Sequence, residues 1–159
     1  MTNNSINSGS QVLQYIYSTS ASVITLNTTI AGDDTIPQKT EGDEVLTLSI
    51  TPYSSTSILE IIFSSNIGSD GTAKSIQTAL FQDSTDNSIA AVTTYFEDTS
   101  NGRCGYLRHI MVSGTTSSTT FKIRVGPEAS TCYVNGDSSG NRLFGGICST
   151  TLNIKEYYL

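Results

Sequence analysis

The stretch VLTLSITPYSSTSILEIIFS, residues 45–64, decides the fold class. In residues 45–50, apolar side chains alternate with Thr and Ser, which is the two-residue period of a β-strand with one buried face. Pro52 has no amide hydrogen to donate to a neighbouring strand, so it ends this strand. Residues 57–64 are apolar at both even and odd positions, a pattern typical of a strand covered on both faces.

The same kind of run recurs along the chain, separated by clusters of Gly, Ser, Asn and Asp. Residues 75–82 also fit a helical stripe through Ile76 and Leu80, but Thr78 and Phe81 favour a strand there. The further strands that we predict are residues 12–17, 22–30, 75–82, 90–96, 105–113, 119–125, 131–134 and 151–157.

About ten short strands joined by turns predict an all-β protein, built as an antiparallel sandwich or barrel. Residues 31–43 are predicted to form a long polar loop, and residues 66–72 a Gly-rich turn. The 159 residues suffice for one domain of ordinary size. We expect residues 1–22 to form an extended N-terminal arm with the first strand, and residues 23–159 to form a single β domain.

Charge and hydropathy exclude several classes of protein. A net charge of −6 with only 8 Lys and Arg residues gives no electrostatic footprint for nucleic-acid binding. No apolar run approaches the length of a membrane-spanning helix, and no secretory signal is visible at the N-terminus.

The three cysteines, Cys104, Cys132 and Cys148, are odd in number and lack metal-ligand spacing. At least one thiol must stay free or pair between chains, which suggests assembly in a reducing compartment.

The sequence contains no convincing catalytic motif, and we predict no enzyme and no catalytic, cofactor-binding or metal-binding residue. His109, the one histidine, lies on the same predicted strand face as Leu107 and Met111, so we interpret it as a packed or inter-subunit side chain. A catalytic Ser–His–Asp arrangement that includes this histidine stays open, although no G-x-S-x-G elbow accompanies it. Gly145 and Gly146 are interpreted as a tight backbone crossing and not as a phosphate cradle.

Carboxylates are frequent in one loop, between Asp33 and Glu44. Hard oxygen ligands of this kind suit calcium, but the spacing matches no EF-hand, so a solvated loop is the favoured interpretation. The eight tyrosines, among them Tyr15, Tyr17 and Tyr106, suit interfaces or sugar stacking, because each is an apolar body with a polar tip. The residues therefore favour a structural or binding module.

Three passages carry a resemblance to a known group of proteins. GDDTIPQKTEGDEVLTLSITP, TALFQDSTDNSIAA and TTFKIRVGPEASTCYVNGDSSGNRLFGGICSTTLNIKEY follow each other over residues 32–157. The chain resembles the small β-domains of tailed-phage virion proteins. The matched positions are Ala79, Leu80, Phe81, Asp83, Lys122, Arg124, Gly126, Val134, Asn135, Gly136, Arg142, Phe144, Gly145, Gly146, Ser149, Leu152, Ile154 and Glu156.

This resemblance implies a jelly roll similar to the tumour-necrosis-factor and C1q heads, assembled as a homotrimer. It implies a virion protein, assembled in the host cytoplasm, that decorates or cements the capsid and contacts the major capsid protein. The alternative is the receptor-binding head of a tail or head fibre that recognises host surface glycans. In the first case the arm formed by residues 1–22 would lie along a capsid groove. We further expect the Gly145–Gly146 pair to permit close approach of strands at a three-fold axis.

Overall fold

The computed structural model describes residues 11–72, 75–97 and 102–158, which contain ten β-strands and one 3-10 turn, Phe144–Gly146. The strands are β1 (Val12–Ser20), β2 (Ile24–Leu26), β3 (Asp43–Ile50), β4 (Ile58–Ser69), β5 (Ser75–Gln82), β6 (Ala90–Tyr95), β7 (Arg103–Val112), β8 (Thr119–Pro127), β9 (Cys132–Val134) and β10 (Thr150–Tyr157). The predicted all-β class is confirmed, and residues 75–82 form a strand. Within the described ranges, no helix has the length and apolar character needed to cross a membrane.

The strands form two antiparallel sheets. In the six-stranded sheet the order is β1-β10-β4-β7, while β9 extends the ladder at the far end of β4 and pairs in turn with β2. In the four-stranded sheet the order is β3-β8-β5-β6. The chain crosses from one sheet to the other between β2 and β3, and again at β4, β5, β7, β8 and β9. This connectivity is that of a jelly roll, as predicted.

The core lies between the inner faces of the two sheets. Because strand side chains alternate, every second residue of β4, β8 and β10 points into this layer. Among the completely buried side chains are Leu59, Ile61, Phe63, Phe121, Ile123, Val125, Leu152 and Ile154. In β3, Leu46 and Ile50 are buried while Thr47 and Ser49 are exposed, as the alternation in residues 45–50 predicts.

The loop before β3 covers the outer face of the four-stranded sheet. Ile30 packs on Ala79 and Phe81, which form a second buried cluster on that face. Arg124 of β8 donates from Nε to the carbonyl oxygen of Glu41 at 2.7 Å, and from an Nη to that of Gly42 at 2.6 Å. As a result β5 is buried on both faces along almost its whole length. The predicted long polar loop therefore lies against the sheet, and most of its residues between positions 31 and 40 are exposed to solvent, as expected of a solvated loop.

Two predicted boundaries are wrong. Residues 66–69 belong to β4 and not to a turn, because Gly68 lets the strand pass under the chain at Gly136 and Asp137. A Cβ on Gly68 would lie 2.6 Å from the carbonyl oxygen of Asp137 and 2.7 Å from that of Gly136. The strand predicted at residues 22–30 is limited to β2, because the following residues leave the sheet for the covering loop.

The N-terminal strand is an integral part of the six-stranded sheet. β1 pairs with β10 from Val12↔Tyr157 to Ser20↔Thr150, with one irregularity after Val12. Of the arm predicted at residues 1–22, the segment 1–10 lies outside the described residues. The division into an arm and a domain at residue 22 stays a prediction.

We expect the substitution Gly126→Ala to loosen the covering loop. The added methyl group would lie 2.5 Å from the carbonyl oxygen of Thr28 and 3.0 Å from Cα of Gly42. Overpacking of this kind costs about 1–3 kcal/mol of unfolding free energy. Urea denaturation measures the loss of unfolding free energy. The Ile30 amide donates to the carbonyl oxygen of Pro127, so its faster hydrogen exchange would show that the covering loop has loosened.

The control is Gly114→Ala, at a glycine with φ +70 whose Cβ would meet nothing within 4 Å. It carries a left-handed strain of about 1–2 kcal/mol but touches no part of the covering loop. Equal exchange of the Ile30 amide in both variants would contradict the close-approach explanation.

Candidate interaction surface

The outer face of the six-stranded sheet is uncovered in the described chain, in contrast to that of the four-stranded sheet. We call it the open face. The strand registers place on it every second residue of β1, β10, β4 and β7. Its members are Tyr15, Tyr17, Thr19, Thr151, Asn153, Lys155, Tyr157, Ile58, Glu60, Ile62, Ser64, Tyr106, Arg108, Ile110 and Val112.

The β4 and β7 side of this surface, which we call the aliphatic half, is dominated by branched side chains. Ile58 lies opposite Val112, Ile110 lies opposite Glu60 one row further along, and Ile62 lies opposite Arg108 in the row after that. Ile110 and Val112 are about half exposed, at 46% and 51%, and the two isoleucines of β4 are half-buried. The strand predicted to be covered on both faces is thus covered on one face only. Apolar area left in water in this way favours association.

An ion pair lies within the aliphatic half, since Glu60 belongs to β4 and Arg108 to β7. Arg108 contacts the same oxygen of Glu60 through Nε at 2.7 Å and through an Nη at 2.6 Å. The hydroxyl of Tyr157 donates to the other oxygen at 2.8 Å. Burial raises the pKa of Glu60, but the bonds from Tyr157 and Arg108 outweigh it and hold that pKa below its ordinary value. Glu60 is therefore a carboxylate at neutral pH, and the guanidinium group of Arg108 compensates its negative charge.

The β1 and β10 side, which we call the tyrosine half, is aromatic and polar. The rings of Tyr15 and Tyr17 have centroids 5.9 Å apart and are 52% and 63% exposed. Lys155 lies opposite Tyr15 in the register, with Nζ 5.7 Å from the ring centroid, and Asn153 lies opposite Tyr17. The ammonium group is attracted by the negative ring face, which restrains it on the surface.

The end of the matched pattern, Glu156, is a buried structural hub. Its side chain is inaccessible to solvent and points inward from β10. One carboxylate oxygen accepts from the Ser57 hydroxyl at 2.5 Å and the Tyr53 amide at 2.9 Å, and the other accepts from Gln14 Nε2 at 2.5 Å. Burial raises the pKa of Glu156, and these bonds overcome it and lower the pKa. The carboxylate ties β1, β10 and the β3–β4 turn together.

Other matched residues also hold loops in place. Asn135, completely buried at φ +60, donates to the carbonyl oxygens of Ser20 and Ser22 and accepts from Thr150. Gly145 and Gly146 adopt φ +67 and +93, and a Cβ on Gly145 would meet nothing within 4 Å. The expected backbone crossing is therefore wrong within the chain, since these glycines serve a left-handed turn. The expectation about a three-fold axis concerns other copies and stays a prediction.

The residues weighed for catalysis or metal binding do not converge. His109 is half-buried on the inner face of β7, opposite Ile61, and burial lowers its pKa. Asp33 accepts hydrogen bonds from Thr35, whereas Asp43 accepts them from Asn27 and Thr28. The two carboxylates therefore have separate partners. Among the described residues, no three metal-ligating side chains come together.

The three cysteines are separate free thiols. Cys104 is exposed and Cys148 is intermediate, while burial, with smaller contributions from Asp43 and Asp70, raises the pKa of Cys132 to about 12. Cys132 is therefore an inert thiol inside the core, as its packing in the hydrophobic cluster requires.

The candidate functional residues named from the sequence do not include Glu60, Arg108, Asn153 or Lys155. A signal was present for Glu60, since a carboxylate in the middle of an apolar strand requires a partner. Arg108 is separated from it by 48 positions, and only the β4–β7 register brings the two together. The pairing of Lys155 with Tyr15 likewise depends on which strand lies beside β10.

No protein-family model matches the chain, and no curated protein matches it in sequence. Among solved structures, the chain is similar to the one described as the crystal structure of the infectious bursal disease virus VP2 subviral particle, with a TM-score of 0.40 and 10% sequence identity. The similarity covers 93% of this chain and 42% of that one, so this chain spans less than half of its length. At this level the likeness carries no functional argument, and the fold assignment rests on the strand order.

We expect Glu156→Gln to lower the unfolding free energy at pH 7 by about 2–3 kcal/mol, because a charged acceptor of several buried hydrogen bonds is lost. The folded-state pKa of Glu156 lies below the ordinary 4.5, so its contribution is complete above that value and is lost as pH falls through the folded pKa. The difference between the two proteins should therefore shrink on acidification.

Chemical denaturation at several pH values between 3 and 7 measures this convergence. The control is Glu44→Gln, at an exposed glutamate of β3, which we expect to change stability little at any of them. A gap between wild type and Glu156→Gln that stays constant down to pH 3 would contradict the role of the charge.

Proposed function

We propose that this chain is a non-enzymatic structural protein of a virion, and that it assembles as a homotrimer that decorates or cements a phage capsid. The single observation that carries the proposal is the open face. Its aliphatic half leaves Ile58, Ile62, Ile110 and Val112 partly in water, although the chain covers its other outer sheet face with its own loop. Burial against other copies would remove this area from water.

The trimeric state is favoured by the resemblance over residues 32–157. A three-fold ring requires a heterologous interface, in which two different patches of each copy meet. The aliphatic half supplies one such patch, and it lies at an edge, because β7 pairs only with β4 within the described chain. An unpaired strand edge beside apolar side chains is itself prone to association.

Location on a virion is supported by the same resemblance and by the free thiols, which suit assembly in the reducing cytoplasm of a host. We propose that residues 1–10 attach the trimer to a capsid protein. β1 begins at Val12 and is held by β10, so this attachment would leave the domain intact. The major capsid protein is the partner that this arrangement requires.

A second candidate function is the receptor-binding head of a fibre that recognises host surface glycans. It is favoured by the tyrosine half, where two exposed aromatic rings stand beside an amide and an ammonium group. Three copies in one trimer would raise a weak affinity by multivalency. The two functions are compatible, since a capsid decoration can also contact a host.

We expect the substitution Ile110→Asp to dissociate the trimer. A carboxylate at position 110 would lie opposite the carboxylate of Glu60, whose partner Arg108 is already engaged, so burying it in the interface costs several kcal/mol, which corresponds to at least a ~100-fold weaker assembly. Size-exclusion chromatography with light scattering measures the mass across a range of concentrations. The matched control is Thr93→Asp, at an exposed position of β6, the edge strand of the other sheet.

Trimers that persist in Ile110→Asp would overturn the assignment of the interface to the aliphatic half. A wild-type protein that stays monomeric at micromolar concentration would overturn the trimer itself. Circular dichroism of each variant separates loss of assembly from loss of fold.

We expect deletion of residues 1–10 to abolish attachment to capsids while leaving the trimer folded. Deletion stops before Val12, so the β1–β10 pairs are kept. Purified trimer is mixed with particles that lack it, and co-sedimentation and electron microscopy report the copies bound. A decoration protein covers the shell in many copies, whereas a fibre head occurs in few copies at the tail. Undiminished binding of the truncated protein would refute the attachment role.

A further inference from the structure

The tyrosine half has the composition of a small recognition site. It contains two exposed rings in series along β1, one amide and one cation, and no acidic side chain among its strand residues. The chain as a whole carries a net charge of −6, so a local positive charge beside exposed aromatic rings is contrary to its average surface. An anionic ligand is the charge complement of such a patch.

Each residue of the patch has a distinct capability. Tyr17, at 63% exposure, offers the freest ring face, on which the apolar C–H face of a sugar ring can pack. Tyr15 holds Lys155 Nζ over its own ring at 5.7 Å, which keeps the ammonium beside the Tyr17 platform. Asn153 lies opposite Tyr17 and presents both a hydrogen-bond donor and an acceptor, which suits sugar hydroxyls.

The neighbourhood restricts the class of ligand further. A neutral sugar would use Tyr17 and Asn153 but would leave the ammonium group of Lys155 without a new partner. A carboxylate on the sugar would form a charge-assisted hydrogen bond with that ammonium group, which is stronger than a neutral one. Glu60 lies opposite Lys155 and attracts its charge, but the hydrogen bonds of that carboxylate go to Arg108 and Tyr157, so the ammonium group keeps its own donors for a ligand.

We propose that the tyrosine half is a binding site for an acidic saccharide, with Tyr17 as the stacking platform, Lys155 as the partner of the sugar carboxylate, and Asn153 as the hydroxyl-binding amide. The site deepens the second candidate function and rests on it. It lies on β1 and β10, whereas the aliphatic half proposed for self-association lies on β4 and β7.

The test uses the full chain and three acidic probes: sialyllactose, a hyaluronan hexasaccharide and hexagalacturonate. Their neutral counterparts are lactose, which lacks the sialic acid, and the methyl esters of the two hexasaccharides, which keep the sugar framework and remove the charge. Ligand-observed NMR and shifts of the tyrosine ring signals detect binding down to millimolar dissociation constants, about the strength expected of one exposed patch. We expect at least one acidic probe to bind at least 10-fold more tightly than its neutral counterpart.

Variants locate the site. We expect Tyr17→Ala to weaken binding at least 10-fold and Tyr17→Phe to change it less than about 3-fold. We expect Lys155→Gln to reduce the affinity for the acidic probe to that for its neutral counterpart. The controls are Tyr95→Ala, at a tyrosine of β6 that is 71% exposed, and Arg142→Gln, at an exposed arginine outside the open face. Both should bind like the wild type.

The outcomes separate the site from the function. Binding that survives both Tyr17→Ala and Lys155→Gln, or that falls equally in the two controls, overturns the site and leaves glycan recognition standing. No binding of any acidic probe overturns the site, and the second candidate function falls with it only if the neutral probes also fail to bind. Neither result bears on the trimer or on capsid attachment, which are measured with other variants.

Discussion

Two stacked sheets have four faces, and burial of those faces governs the whole architecture of this chain. The two inner faces cover each other through Phe63, Phe121 and their neighbours, which are inaccessible to water. The outer face of the four-stranded sheet is covered by the loop that carries Ile30. The fourth face is the open face, which has no cover within the described chain. Since apolar area in water is unfavourable, an association is expected at this face before any other.

Buried polar groups fix the loops that this arrangement needs. Glu156 gathers Gln14, Ser57 and the Tyr53 amide, and Arg124 holds the covering loop by its carbonyl oxygens. Burying a carboxylate without such donors would destabilise the fold by more than the surrounding contacts stabilise it. The buried carboxylate and its hydrogen-bond donors must therefore be present together. Of these residues, Glu156 and Arg124 are among the positions on which the predicted resemblance rests. In this chain both side chains hold strands and loops in place.

The open face combines two chemistries on neighbouring strands. Branched aliphatic side chains on β4 and β7 suit burial against another copy, and tyrosines with Asn153 and Lys155 on β1 and β10 suit a polar ligand. The ion pair of Glu60 with Arg108 lies within the aliphatic half, and Tyr157 of β10 donates to Glu60 from the other half. A trimer built on the first half would display three copies of the second, which is the geometry that makes weak sites effective. A structural role and a recognition role can therefore share a single sheet.

The sequence by itself determined the all-β class, the position of most strands and the alternation of buried residues, because these depend on side chains a few positions apart. Leu46 and Ile50 on one face, Thr47 and Ser49 on the other, are an example of such a local pattern. Tertiary structure alone decided that β4 continues through Gly68, that the loop after Ile30 covers a sheet, and that Glu60 meets Arg108. These depend on which strands lie side by side, and residues separated by 48 positions or more along the chain carry no local trace of their proximity. The open face is of the same kind, since its members come from four strands that only the fold brings together.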